Sequence, residues 1–140
     1  ANSAAKIGQE QAWLDRAKLV REQGLEPIAA TAASRWFTDP FIQSHPSVVS
    51  HLCNDLSAGS ALGYANCCEA LAKADLRDEL KQITIPVLII AGTHDPVTTV
   101  TDAEWMLQHI PKAELVEINA SHISNVEAPV VFNQYINQFI

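Results

Sequence analysis

Glycine is scarce in this sequence, and its five copies (Gly8, Gly24, Gly59, Gly63 and Gly92) are not spaced to build a phosphate-cradling loop. Positive charge is scarce as well. Nine Lys and Arg stand against sixteen Asp and Glu, for a formal net charge of −7. Such a chain lacks the electrostatic footprint of a nucleic-acid binder or a membrane-surface protein, and neither partner is expected. Three cysteines, two of them vicinal (Cys67, Cys68), form no disulfide framework and no CxxC metal knuckle. They read as reduced thiols of a cytoplasmic protein. No apolar run approaches the ~18–20 residues of a membrane span, and the longest, Pro86 to Ala91, suits a strand. Ala1-Asn2-Ser3 carries neither the basic nor the apolar region of a secretory leader.

What the chain does have is apolar residues. Of its 140 residues 48% are hydrophobic and 18% charged, the composition of one compact domain rather than of a disordered chain. A chain of this size buries roughly 68–70% of its unfolded surface.

The pattern changes near residue 82. Before it the periodicity is helical. Gln9 to Gln23 reads as a helix with Trp13, Ala17 and Val20 on one stripe, ended by Gly24. Leu25 to Arg35 reads as an Ala-rich second helix entered through Pro27, and Trp36 to Phe41 as an aromatic loop. Pro46 opens a third helix with Val48, Val49, Leu52 and Leu56 inward. Ala61 to Lys73 makes a fourth, with Tyr64, Cys67, Cys68 and Leu71 at helical spacing. Asp75 to Leu80 reads as a short helical turn.

After residue 82, strands and helices alternate. Val87 to Ala91 is β-branched and continuously apolar, begun by Pro86 and stopped by Gly92, as a strand buried on both faces of a parallel sheet is written. Asp102 to Ile110 is a helix, Glu114 to Ile118 a more alternating strand, Asn119 to Asn125 a loop, and Pro129 to Ile140 a final amphipathic helix. The order implies right-handed parallel crossovers, hence an α/β class. Two parallel strands need further strands beside them, so residues 83–140 are expected to be one end of a larger doubly wound sheet. Residues 1–82 are expected to form a helical covering insertion.

Two loops carry the chemistry. Ala91-Gly92-Thr93-His94-Asp95-Pro96 follows the first strand, and Ala120-Ser121-His122-Ile123-Ser124-Asn125 follows the second. Ligands of open α/β sheets sit at the carboxyl ends of strands. A carboxylate on one such loop and an imidazole on the next are neighbours. Asp95 can then accept the ring N–H of His122 and leave the other nitrogen as a general base. Taken singly, Asp95 reads equally well as a turn cap and His122 as a helix cap. Acid before histidine, one strand–helix–strand unit apart, is the later part of the Ser…Asp…His order of the α/β-hydrolases. The nucleophile is missing: no G-x-S-x-G and no H-G-G-G-type oxyanion loop occurs. The nucleophile elbow is expected upstream of residue 1, and the chain alone is expected to be inactive.

Further strings sharpen this. Trp13-x-x-Arg16, Arg35-Trp36-Phe37-Thr38, Gly63-Tyr64-Ala65-x-Cys67-Cys68-x-Ala70-Leu71, Asp75-Leu76-Arg77, the Ala91–Asp95 loop and Ser121-His122-x-Ser124-Asn125-x-Glu127 resemble the 3-oxoadipate enol-lactonases, α/β-hydrolases of aromatic catabolism. The resemblance spans essentially the whole chain. It implies that Ala1-Asn2-Ser3 follows the strand before the cap, that residues from about 5 to 82 are a helical lid, and that Asp95 and His122 are the triad acid and base. It implies hydrolysis of a carboxylate-bearing enol-lactone to 3-oxoadipate through an acyl-enzyme, with no metal or organic cofactor. The N-terminal half of the hydrolase would be the partner that supplies the serine.

A pocket for that substrate needs an apolar wall and a cation. Trp13 and Arg16, three apart on one helix face, are the first choice, and Arg35 and Trp36 the second. Each also reads as lid packing or bracing. Cys67 and Cys68 are expected to pack inward. Glu127 and Asn125 are expected to secure the start of the last helix. His94 is expected to shape the acid loop, and His45, His51 and His109 to lie at the surface or at helix ends.

Two other readings stay open. Dehalogenase- and epoxide-hydrolase-type relatives use a similar Asp/His pair with an Asp nucleophile. Alternatively, the chain is a non-catalytic fragment or interaction module, its open sheet edge covered by self-association or by a partner chain.

Overall fold

The computed structural model describes residues 3–140. Ala1 and Asn2, expected with Ser3 to follow a strand, lie outside them. The chain separates into two compact units. One joins the residues through Ile7, Arg35–Thr38 and Asp75–Ile140, and the other joins Gly8–Ser34 and Asp39–Ala74. No helix among the described residues is long and apolar enough to cross a membrane.

The first unit is built on two strands, β1 (Val87–Gly92) and β2 (Ala113–Ile118), paired in parallel from Val87↔Ala113 to Gly92↔Ile118. Alternation along β1 sends its side chains to two separate cores. Ile89 and Ala91 pack with Ala103, Met106, Ile110, Leu80 and Ala5. Ile90 packs with Ile118 and Ala120, against Leu88, Phe132, Tyr135 and Ile136. Burying Ile89 or Ile90 stabilises the fold by about 1.5–3 kcal/mol each. This two-faced burial is why the strand is continuously apolar.

The crossover helix of this unit covers Val100–His109. It begins two residues before the sequence reading because Thr99 caps it. The Thr99 hydroxyl accepts from the Asp102 N–H, and the Asp102 carboxylate accepts from the Thr99 N–H at 2.8 Å, a reciprocal pair. After β2 come a short helix, Ser124–Glu127, which overlaps the end of what the sequence reads as a loop, and the final helix, Pro129–Phe139. Asp75 to Leu80 is not a helical turn throughout; turns lead to a 3-10 helix at Leu80–Gln82. Leu80, 9% exposed, belongs to the core of the strands. After the helical stretch the strand-bearing unit resumes at Asp75.

The second unit is all helical. Its longest helices, α1 (Glu10–Gln23) and α2 (Ala61–Lys73), pack through small residues: Ala17, Ala65 and Cys68 are buried together, beside Trp13 and Tyr64. Gly24 ends α1 at φ +75°, a conformation L side chains rarely adopt, and donates its N–H to Val20 O at 2.9 Å. Val20, Leu25 and Ile28 form a second apolar cluster.

Several expectations fail here for local reasons. The stretch from Leu25 to Arg35 is broken into Glu26–Ala29 and Ala33–Trp36. Between them Thr31 N–H and Oγ1 both donate to Ile28 O, and Ser34 Oγ donates to Thr31 O, so hydroxyls compete for carbonyls that a continuous helix would use. The aromatic loop yields to a helix from Asp39 to Ser44. In the helix Pro46–Ser57, Val49 is buried while Val48 is 40% exposed. Cys67 is exposed and Cys68 buried, since neighbouring residues on a helix point about 100° apart.

Candidate active site

Gly92 ends β1 and sets the distance between the two functional loops. A Cβ at this position would lie 2.5 Å from Ser121 O and 2.6 Å from Ala120 O, so only glycine lets the loops approach this closely. Backbone bonds then lock them together. Thr93 N–H donates to Ile118 O and His94 N–H to Ala120 O. The Ser121 hydroxyl donates to His94 O at 3.2 Å.

Asp95 and His122 meet across this junction, His122 Nδ1 lying 2.9 Å from Asp95 Oδ2. The Asp95 side chain has no exposed surface, while that of His122 is 28% exposed. The acid is therefore shielded and the base is reachable. A carboxylate only accepts, so the bond requires the proton on Nδ1 and leaves the Nε2 lone pair free. Nε2 has no hydrogen-bond partner among the described residues.

Asp95 makes turn contacts and the contact to His122 together. Oδ1 accepts the N–H groups of Val97 at 2.7 Å and Thr98 at 3.1 Å, an Asx-type turn. Oδ2 accepts the Thr98 hydroxyl at 2.7 Å together with the His122 ring. Thr98 escapes a reading that looks only for acids and bases. Its signal was available, since Thr three residues after Asp is the spacing of such a turn. His122 does not cap a helix; Ile123 occupies the residue before the Ser124–Glu127 helix.

Glu127 departs from expectation too. Ala128, not Glu127, precedes the final helix, and no side chain caps it. The Glu127 carboxylate instead accepts Ser121 N–H at 2.7 Å, Thr38 N–H at 3.0 Å and the Thr38 hydroxyl. His94 Nε2 lies 2.9 Å from Asn119 Oδ1, on the acid loop's exposed side.

The substrate-binding candidates fall in both units. Arg35 and Trp36 belong with Asp95 and His122, and Trp36 O accepts Ile123 N–H at 3.0 Å, one residue beyond the histidine. Trp36 also meets Phe37 edge to face at 6.4 Å. Trp13 and Arg16 belong to the helical unit, where the guanidinium lies 5.1 Å from the indole centroid. The Arg16 side chain has no hydrogen bond or ion pair among the described residues, whereas that of Arg21 is committed to Glu69 at 2.8 Å.

A cavity of about 390 Å³ lined by Asp75, Arg77, Asp78, Lys81, Trp105 and His109 lies elsewhere in the strand-bearing unit. Its cations are already paired, Arg77 with Asp75 and Lys81 with Asp78. The Arg77 guanidinium holds the Asp75 carboxyl well below the usual carboxylate range. No group of three or more His, Cys, Asp or Glu that could hold a metal occurs among the described residues.

The chain is 60% identical over 136 residues to 3-oxoadipate enol-lactonase 2 of Acinetobacter baylyi, covering 97% of this chain and 51% of that protein. It is 47% identical over 140 residues to 3-oxoadipate enol-lactonase 1 of the same organism, covering 100% of this chain and 53% of that one. Among solved structures, an enol-lactonase from Burkholderia xenovorans LB400 superposes with a TM-score of 0.95 at 37% identity, over 99% of this chain and 53% of its own. The chain thus spans about half the length of the curated relatives it matches. The family profile described as the alpha/beta hydrolase fold matches residues 21–129, and with a parallel sheet whose strand ends bear the Asp95–His122 pair, the chain belongs to that family.

Proposed function

We propose that this chain supplies the acid and base of an enzyme that hydrolyses 3-oxoadipate enol-lactone to 3-oxoadipate. The observation that carries the reading is the 2.9 Å contact between a shielded Asp95 and a reachable His122. The chain's likeness to proteins named enol-lactonases supports the substrate. A serine outside these 140 residues is the nucleophile, in the half of the hydrolase that partners this chain. The helical unit is the lid, and the thiols keep the cytoplasm as the proposed compartment.

His122 Nε2 takes the serine proton as the oxygen adds to the lactone carbonyl. Asp95 stabilises the imidazolium that results. The ring C–O bond then breaks, and the departing enol oxygen takes the proton and tautomerises to the ketone. Water, deprotonated by the same nitrogen, adds to the acyl-serine carbonyl, and as the ester C–O bond breaks the imidazolium returns that proton to the serine oxygen and 3-oxoadipate is released.

Arg16 is the proposed clamp for the substrate carboxylate. It carries a charge that no acid in the described chain neutralises, and Trp13 holds it from behind as an apolar wall. Arg35 and Trp36 are the second choice. The test compares two substrates in the full-length protein. Arg16→Ala should weaken turnover of the anionic lactone far more than that of a neutral ester, and equal losses on both discard the clamp. Identifying the nucleophile is the companion test. A serine supports lactone hydrolysis, and an aspartate transfers the chain to the dehalogenase or epoxide-hydrolase type.

A further inference from the structure

His122 is tethered on both sides, and both tethers end on one distant segment. On one side Ser121, 2% exposed, donates its N–H to Glu127 Oε2 at 2.7 Å. The other oxygen, Oε1, takes the N–H of Thr38 at 3.0 Å and its hydroxyl. On the other side Ile123 donates its N–H to Trp36 O at 3.0 Å. Thr38 and Glu127 are 89 apart in sequence, yet lie in the same compact unit.

Resting on the hydrolytic reading above, we propose that Glu127 is a positioning residue for His122, acting through the Ser121 backbone and the Trp36–Thr38 segment. It makes no hydrogen bond to the imidazole among the described residues. The division of labour is geometric. Asp95 fixes the ring's rotation and tautomer, while the tethers at Ser121 and Ile123 fix where the His122 Cα sits. Both are needed to place Nε2. Three donors converging on one carboxylate make charge-assisted bonds, stronger than neutral ones. A misplacement of about 1 Å at a reacting group can cost on the order of 100-fold in rate.

The test is made in the full-length protein with the enol-lactone as substrate. Glu127→Gln replaces one accepting oxygen by a donating amide, which cannot serve both Ser121 and Thr38. It should lower kcat by up to about 100-fold with KM nearly unchanged, and shift or broaden the downfield His122 Nδ1–H resonance. Thr38→Val removes the hydroxyl arm alone and should give a smaller loss of the same kind, and Thr38→Ser should restore the rate. If Glu127→Gln does not fold, the Thr38 pair carries the test. A wild-type kcat and unmoved resonance in Glu127→Gln or Thr38→Val, with His122→Ala inactive, overturns the positioning role and leaves the hydrolytic reading standing. Full turnover by His122→Ala overturns both.

Discussion

The two units bury different chemistry. All four buried polar residues among those described, Asp95, Thr98, Ser121 and Ser124, lie in the strand-bearing unit. Every buried residue of the helical unit is apolar or a thiol, from Ala17 and Val20 to Cys68 and Ala72. Buried polar groups cost free energy unless each finds a partner. No buried side-chain nitrogen or oxygen lacks one among the described residues. The strand-bearing unit therefore spends its interior on holding an acid and a base in register, and the helical unit spends its interior on packing. Arg16, its proposed substrate contact, is a partly exposed side chain.

That contrast can be attacked at its narrowest point, Gly92. Adding one methyl group there pushes against two backbone carbonyls, of Ala120 and Ser121, which cannot swing aside as a side chain would. Gly92→Ala should destabilise the protein by about 1–3 kcal/mol, read from the denaturation midpoint, and should also separate the loops that carry Asp95 and His122. Wild-type stability in this variant would show that the loops are not held at contact distance.

A smaller effect sharpens the comparison from the helical side. Burial pushes the Cys68 thiol up from its ordinary value, against an opposing pull from Arg16. A thiol whose folded pKa is raised favours the folded state at pH below its unfolded value. That contribution fades as pH rises from about 8.5 towards the folded pKa. Reaction with an alkylating reagent at pH 8 should therefore label exposed Cys67 well before Cys68, as peptide mapping would read. Equal labelling would mean that the helical core opens readily.

Periodicity revealed what depends on neighbours in sequence. The β-branched run at Val87–Ala91, bracketed by Pro86 and Gly92, reads as a strand buried on both faces, and Ala61–Lys73 carries its own capping serine, Ser60, whose hydroxyl accepts the Gly63 N–H. Asp95 and His122 were legible because strand ends place them. What escaped was decided by competition or distance. Thr31 and Ser34 divert carbonyls within an Ala-rich stretch, and the alanines alone give no hint of it. Val48 and Val49 sit at adjacent positions, and spacing by itself does not say which one faces in. Glu127 bonds to Thr38 across 89 residues, a pairing that no local pattern encodes.

The central claim is that Asp95 fixes the protonation of His122, and Asp95→Asn tests it most directly. Asparagine keeps an oxygen to accept from Val97 and Thr98, so the turn survives. It can turn its amide N–H groups toward Nδ1, which favours the wrong tautomer. In the full-length protein, with unchanged circular dichroism, kcat on the enol-lactone should fall by about 10⁴-fold. A variant that keeps its fold and turns over at close to the wild-type rate would contradict the account.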